Sequence, residues 1–264
     1  MLRRFSRLQR LQVHTFWPFS TPSAQVRRAS ESSSGTSPHV LQTGRAVPSV
    51  IGPVSTRYAP KLSPPAGNFE AMATRLIEPS TPRLVLRQWS DADRMPFAAL
   101  NADPSVMKHF PAVLTREQSD ALMDRCLAQV QCDGYGLWAV EVRASGEFIG
   151  FVGLAVPTWE AAFTPCTEIG WRLAKSAWGH GYATEAANVV VATAFGTLGL
   201  GALVSFTTTG NLRSQLVMQR IGMKHQPSED FDHPRVDGGS LRRHVLYRIS
   251  RADWEHDVRS SAPP

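Results

Sequence analysis

The stretch from Glu168 to Ala187, EIGWRLAKSAWGHGYATEAA, sets one carboxylate and two tryptophans ahead of a Gly179-x-Gly181 pair, which opens an alanine- and valine-rich run. The order is strand, glycine loop, helix. The free N–H groups of a first helical turn, with the positive end of its macrodipole, bind an anion, and glycines let a phosphate approach the backbone. The loop therefore reads as a diphosphate cradle. A Gly-x-Gly before a helix is also a common plain turn, so the loop alone does not decide the matter. No Gly-Lys-Ser/Thr follows, which excludes a Walker A loop, and the third glycine of the dinucleotide fingerprint is absent.

About two dozen residues further on comes Asn211-Leu212-Arg213-Ser214-Gln215-Leu216-Val217-Met218-Gln219-Arg220-Ile221-Gly222-Met223. EIGWRL, WGHGYATEA and NxRSxxVMxRIGM, taken together, resemble the GNAT superfamily of acetyl-CoA-dependent N-acetyltransferases, and within it the branch that includes the ribosomal-protein N-terminal acetyltransferases. The resemblance runs from about Thr81 to Arg251. One departure is Ser176, where the family pattern has Arg or Gln three residues before the first loop glycine. The phosphate contacts of that pattern are mostly backbone N–H groups, so the departure changes little.

The resemblance implies acetyl-CoA as co-substrate. The backbone of Trp171, Arg172 and Leu173 is expected to meet pantetheine as an added strand would. That of Trp178, Gly179, His180, Gly181, Tyr182 and Ala183 is expected to meet the diphosphate. Asn211 and Ser214 stand where the family places polar side chains near the thioester; Asn211 also reads as a helix cap, and Ser214 as a solvated first-turn residue. Many relatives carry a tyrosine seven residues after that Asn as proton donor to the leaving thiolate, whereas this chain has Met218, and a thioether donates no proton. Ser214 or water then supplies the proton, or the thiolate leaves unprotonated. Glu168 is the one carboxylate of the central strand and the candidate general base for the acceptor ammonium. The alternative for Glu168 is a partly exposed strand-end residue paired with an arginine.

Other clusters carry less. Asp230-Phe231-Asp232-His233-Pro234 with His244 matches no metal-ligand spacing, and turn-forming Asp and Pro explain it, so no metal is expected. That loop, and His109-Phe110, are expected to shape the acceptor pocket. The three cysteines, Cys126, Cys132 and Cys166, form no Cys-x-x-Cys pair, which points away from a disulfide framework or zinc site. No apolar run approaches the roughly 18 residues that cross a bilayer.

Charge divides the chain. Residues 1–71 hold nine of the 28 Lys and Arg but two of the 22 acids, a net +7, while residues 72–264 sum to −1. The overall +6 therefore belongs to the leading segment, and a nucleic-acid partner is not expected for the rest. Residues 1–71 read as a disordered basic, Ser- and Pro-rich extension, with Leu2, Phe5, Leu8 and Leu11 set against Arg3, Arg4, Arg7 and Arg10. Two origins fit it: an organellar transit peptide, or sequence upstream of a true start at Met72. The second is favoured, which gives a cytoplasmic protein; the first would give a mitochondrial one.

The elements that must hold the site follow from periodicity and punctuation. Arg83 to Trp89 is a first strand, and Ser90 to Asp93 caps a helix that Asn101 to Pro104 breaks. Thr115 opens a second helix as a capping box with Gln118, with Leu122, Cys126, Leu127 and Val130 on one face. A hairpin pairs residues 136–143 with 147–154, and residues 181–198 form a helix buried against the sheet. Ala202 to Thr208 is a strand, residues 212–221 a helix, and strands near Met223 and at 244–249 close the sheet. The expected fold is α+β: a mixed, mainly antiparallel central sheet with helices on both faces, residues 72–264 being the catalytic domain. The expected reaction is direct transfer of acetyl from acetyl-CoA to an amine in a ternary complex, the leading acceptor being a peptide or protein N-terminus. A small-molecule amine (polyamine, amino acid, antibiotic) and a non-catalytic acyl-CoA sensor are the alternatives. A monomer or homodimer, with no nucleic-acid or membrane partner, is expected.

Overall fold

The computed structural model describes residues 76–261; the expected extension over residues 1–71 lies outside the described residues. Alternating Leu84 and Leu86, both fully buried, make the first strand, β1 (Leu84–Arg87). Two helices follow, α1 (Arg94–Ala102) and α2 (Arg116–Asp133). The capping box of α2 forms as the sequence implies: Gln118 N–H donates to Thr115 Oγ1 at 3.3 Å, and Thr115 N–H to Gln118 Oε1 at 2.9 Å. The hairpin is β2 (Leu137–Val142) and β3 (Glu147–Ala155), and the central strand is β4 (Glu168–Leu173).

The helix after the glycine loop, α3, covers Tyr182–Ala192 and passes into a π-turn at Thr193–Thr197, so the expected single helix over 181–198 loosens in its last turn. Thr193 Oγ1 donates back to Val189 O at 2.8 Å, a local bond that competes with the regular ladder. Then come β5 (Ala202–Thr208), α4 (Leu212–Arg220), β6 (Lys224–His225), β7 (Phe231–Asp232), β8 (Arg243–Ser250) and α5 (Arg251–Ser261). Neither β7 nor α5 is among the elements expected from sequence. For α5 the signal was present: Ser250-x-x-Asp253 is a capping box, with Ser250 Oγ donating to Asp253 Oδ2 and accepting from Asp253 N–H at 3.1 Å.

The eight strands form one sheet in the order β1-β2-β3-β4-β5-β8-β6, with β7 also on β8. Every pairing is antiparallel except β4 with β5. One face packs Ile169, Leu173, Leu203 and Tyr247 under α3 and α4, with Val190, Met218 and Ile221 facing them. The opposite face packs Ala139 and Phe151 under α1 and α2, around Phe97, Leu122 and Met123. Helices thus cover both faces, as expected. Among the described residues no helix is long and apolar enough to cross a membrane.

Candidate active site

The parallel pair β4–β5 is joined at one point, Glu168 opposite Val204, with Val204 N–H donating to Thr167 O at 3.0 Å. Beyond that point β4 continues to Leu173 and β5 to Thr208 with no further pairing between them, so the sheet opens as a wedge with Glu168 at its apex. The period of two decides which backbone groups line it. Ala174 N–H donates to Ile149 O at 2.8 Å, and Arg172 O lies against Gly150, where a side chain would collide with it. Both therefore face β3, and Trp171 and Leu173 turn their N–H and C=O groups the other way, toward the wedge. Leu173 O already accepts the Trp178 indole N–H at 3.0 Å. Of the three residues expected to present backbone to pantetheine, Trp171 and Leu173 turn backbone groups toward the wedge, and Arg172 spends its backbone on β3.

At the mouth of the wedge lies the glycine loop. Gly179 and Gly181 adopt φ of +85° and +79°, values that cost other residues roughly 1–2 kcal/mol. A Cβ on Gly179 would meet nothing within 4 Å, so it is the sign of φ, not crowding, that requires glycine there. Gly181 is the N-cap of α3 and no side chain caps the helix. The first bond of the helix is Glu185 N–H to Gly181 O at 3.0 Å, and no backbone N–H from Gly179 to Thr184 has an acceptor among the described residues. These are donors of the kind an anion takes up. Trp178, His180, Tyr182 and Ala183 complete the loop, with the rings of His180 and Tyr182 stacked at 5.4 Å.

Two cations flank the cradle. Arg83, from β1's leading edge, lies 4.9 Å from the Tyr182 ring centroid and donates to Glu185 Oε2 at 2.6 Å. Arg213, on the first turn of α4, lies 4.6 Å from the Trp178 centroid. Neither is among the site residues expected from sequence. The position of Arg213 inside the NxRS run was a usable signal; Arg83 gave none, being 102 residues from Glu185.

Glu168 is 4 % exposed, and burial pushes its carboxyl up to about 8. It has no hydrogen-bond or ion-pair partner for that carboxyl among the described residues, so the alternative of an exposed strand end paired with an arginine is not what forms. Its side chain leaves the same face as Arg172, four residues on, the face roofed by α1 and α2. There Arg172 donates to Asn101 Oδ1 and sits between the rings of Phe110 and Phe151, 4.2 and 5.4 Å from their centroids; burial draws its guanidinium down to about 9. His109, in the loop between α1 and α2, meets Thr208 Oγ1 at 3.0 Å, which ties the roof to the end of β5. Cys166 lies close enough to Glu168 that its thiol, raised to about 12 chiefly by burial, is raised further by that carboxylate.

Asn211 caps α4: its Oδ1 accepts Ser214 N–H at 3.3 Å, and its Nδ2 donates to Thr207 Oγ1 at 2.8 Å and Ser214 Oγ at 3.0 Å. Its amide is thus committed to the protein, while the Ser214 hydroxyl accepts that bond and keeps its own proton to donate. Met218 is 1 % exposed in the core beneath α4. Among the described residues no three His, Cys, Asp or Glu are grouped to hold a metal ion.

Comparison with known proteins agrees with this geometry. Residues 83–224 match the family model described as acetyltransferase (GNAT) domain. The FsC-acetyl coenzyme A-N(2)-transacetylase of Aspergillus fumigatus is 34 % identical over 168 residues, covering 59 % of this chain and 68 % of that protein. An acetyltransferase from Agrobacterium tumefaciens superposes with a TM-score of 0.54 at 29 % identity, over 69 % of this chain and 99 % of its own. RimL, a ribosomal L7/L12 α-N-protein acetyltransferase solved with coenzyme A, superposes at 0.53 with 16 % identity, over 65 % and 96 %, a likeness of fold. With the wedge, the cradle and these matches in agreement, the chain belongs to the GNAT family and is an acetyl-CoA-dependent N-acetyltransferase.

Proposed function

We propose that the chain acetylates the α-amine of a peptide or protein N-terminus, with Glu168 as general base. The observation that carries this is the buried carboxyl at the apex of the wedge, pushed up to about 8. An α-ammonium ionises near 8, whereas an alkylammonium of the lysine kind ionises near about 10.4. Proton transfer between groups of matched pKa costs little, so this carboxylate suits an α-amine better than a polyamine.

In this reading the cradle from Trp178 to Ala183 holds the diphosphate, and Trp171 and Leu173 hold pantetheine along the wedge. The acceptor enters from the face roofed by α1 and α2 and gives its proton to Glu168, directly or through one water. The amine lone pair attacks the thioester carbonyl, the C–N bond forms and the C–S bond breaks. The nitrogen sheds its second proton to water, which returns one to Ser214 once that hydroxyl has given its own, and the thiolate departs toward the first turn of α4. Ser214, whose hydroxyl retains a proton to give, is the donor available there; Met218 is turned into the core.

A second reading, acetylation of a small-molecule amine, is favoured by the name of the Aspergillus relative, an N(2)-transacetylase. Thiol release from acetyl-CoA, measured over peptides, amino acids and polyamines, separates the two. Peptide N-termini should give the highest kcat/KM; a free small-molecule amine that exceeds every peptide by tenfold or more would remove the first reading.

A further inference from the structure

Phe206 follows Val204 by two residues on β5, so its side chain leaves the same face as Val204 and Glu168. Two residues further, Thr208 meets His109 of the roof at 3.0 Å. Phe206 therefore lines the acceptor side of the wedge between the candidate base and the roof. It does not stand alone. Its ring lies 5.5 Å from both Trp159 and Phe231 and 6.0 Å from Phe163, and Phe163 lies 4.8 Å from Phe231. Behind them His233 is 4.8 Å from Trp159 and 5.0 Å from His244.

These rings come from three separate segments: the β3–β4 connection, β5, and the chain from β7 to β8. Trp159, His233 and His244 are buried, while Phe163, Phe206 and Phe231 are only half-buried. A packed satellite core would hide all six; this one keeps an aromatic front open. The acids on either side of Phe231 are engaged elsewhere. Glu229 pairs with Arg248 at 2.8 Å, Asp230 with His225 at 2.9 Å and with Leu246 N–H at 3.0 Å, and Asp232 with Arg242 at 3.1 Å. Burial drives His233 down to about 3 and also lowers His244, so both imidazoles are neutral near pH 7 and the wall gains no positive charge from them.

We propose that Phe163, Phe206 and Phe231, backed by Trp159, are the specificity wall of the acceptor site, and that they select an amine bearing an aromatic or branched apolar substituent. The inference rests on the reading above that the acceptor reaches Glu168 from the roofed face. An aromatic substituent laid against three phenyl rings leaves water and gains offset or edge-on ring contacts. A polyamine brings further ammonium groups against phenyl rings, with the acids on either side of Phe231 already paired, and must give up water around them for little return.

The test uses the full chain and two matched pairs of acceptors: Phe-Gly-Gly amide against Ser-Gly-Gly amide, and phenethylamine against spermidine. In the unmutated protein the aromatic member should have at least tenfold higher kcat/KM within each pair that turns over. Phe231→Ala should abolish most of that ratio by raising KM for the aromatic acceptor, with KM for acetyl-CoA unchanged. Spermidine or the Ser peptide preferred by the unmutated protein overturns the proposal whether or not the variant folds. So does a Phe231→Ala loss that is equal for both members of a pair. If phenethylamine beats spermidine while no peptide reacts, the N-terminus reading falls and the wall stands.

Discussion

The Arg213 guanidinium lies 4.6 Å from the Trp178 ring centroid, and Trp178 donates its indole N–H to Leu173 O at 3.0 Å. One ring thus connects the first turn of α4, the glycine loop and the end of β4, the three elements around the wedge. It also holds a cation beside a run of backbone donors, residues 179–184, that contains no Lys or Arg of its own.

Arg213→Ala should therefore weaken acetyl-CoA binding by about tenfold at low salt, the scale of one partly exposed charge-assisted contact. Because that contact is screened, the deficit should shrink as ionic strength rises. Titration calorimetry at 50 and 500 mM salt checks both; an equal deficit at the two would assign Arg213 a packing role only.

Gly181→Val tests the cradle itself. Its backbone has φ of +79° and the nearest atom a Cβ would meet is Arg83 Nη2 at 3.7 Å, so the strain is in the backbone and not in crowding. Reorienting the loop removes donors from the diphosphate. Affinity for CoA should fall at least tenfold more than affinity for pantetheine, which lacks the diphosphate. Equal losses for both would indicate general destabilisation.

Much of this was legible in the sequence because it rests on local rules. The EIGWRL strand, the Gly-x-Gly turn and the Thr115 capping box depend on neighbours within a few residues, and all three formed. The relationships that escaped are long-range. Nothing local indicates that Arg172 would commit its backbone to β3, since that parity is fixed by the register Gly150 opposite Leu173. Nor could spacing bring Trp159, Phe206 and Phe231 together, because they lie on three elements whose order in the sheet is not their order in the chain. The missed α5 is a different case: its capping box was readable at Ser250 and Asp253.

Asn211→Ala should act mainly on stability. It removes a helix N-cap and the bond to Thr207, and each such loss is worth about 1 kcal/mol, so unfolding should become easier by about 1–2 kcal/mol. Denaturant titration reads this directly. A variant as stable as the unmutated protein but with weakened acetyl-CoA binding would assign the side chain to the ligand instead.

Glu168→Gln separates catalysis from stability in a single variant. Burial raises the carboxyl from 4.5 to about 8, so between those values the unfolded chain has lost the proton and the folded one retains it. The folded state then binds more protons, and stability must fall as pH rises from 4.5 toward 8. At about 1.4 kcal/mol per pKa unit the loss is on the order of 3–5 kcal/mol by pH 8. Glutamine does not ionise, so the variant should match the unmutated protein near pH 4.5 and be more stable at pH 8, with a higher Tm. Its turnover should move the other way. In the unmutated protein kcat/KM should rise with pH through about 8, as Glu168 and the acceptor amine both lose protons. The variant should turn over roughly 10²-fold more slowly at neutral pH, with unchanged acetyl-CoA affinity, and recover partly as the amine deprotonates itself. Greater stability at pH 8 with undiminished turnover would leave Glu168 as a buried acid only and make solvent the base.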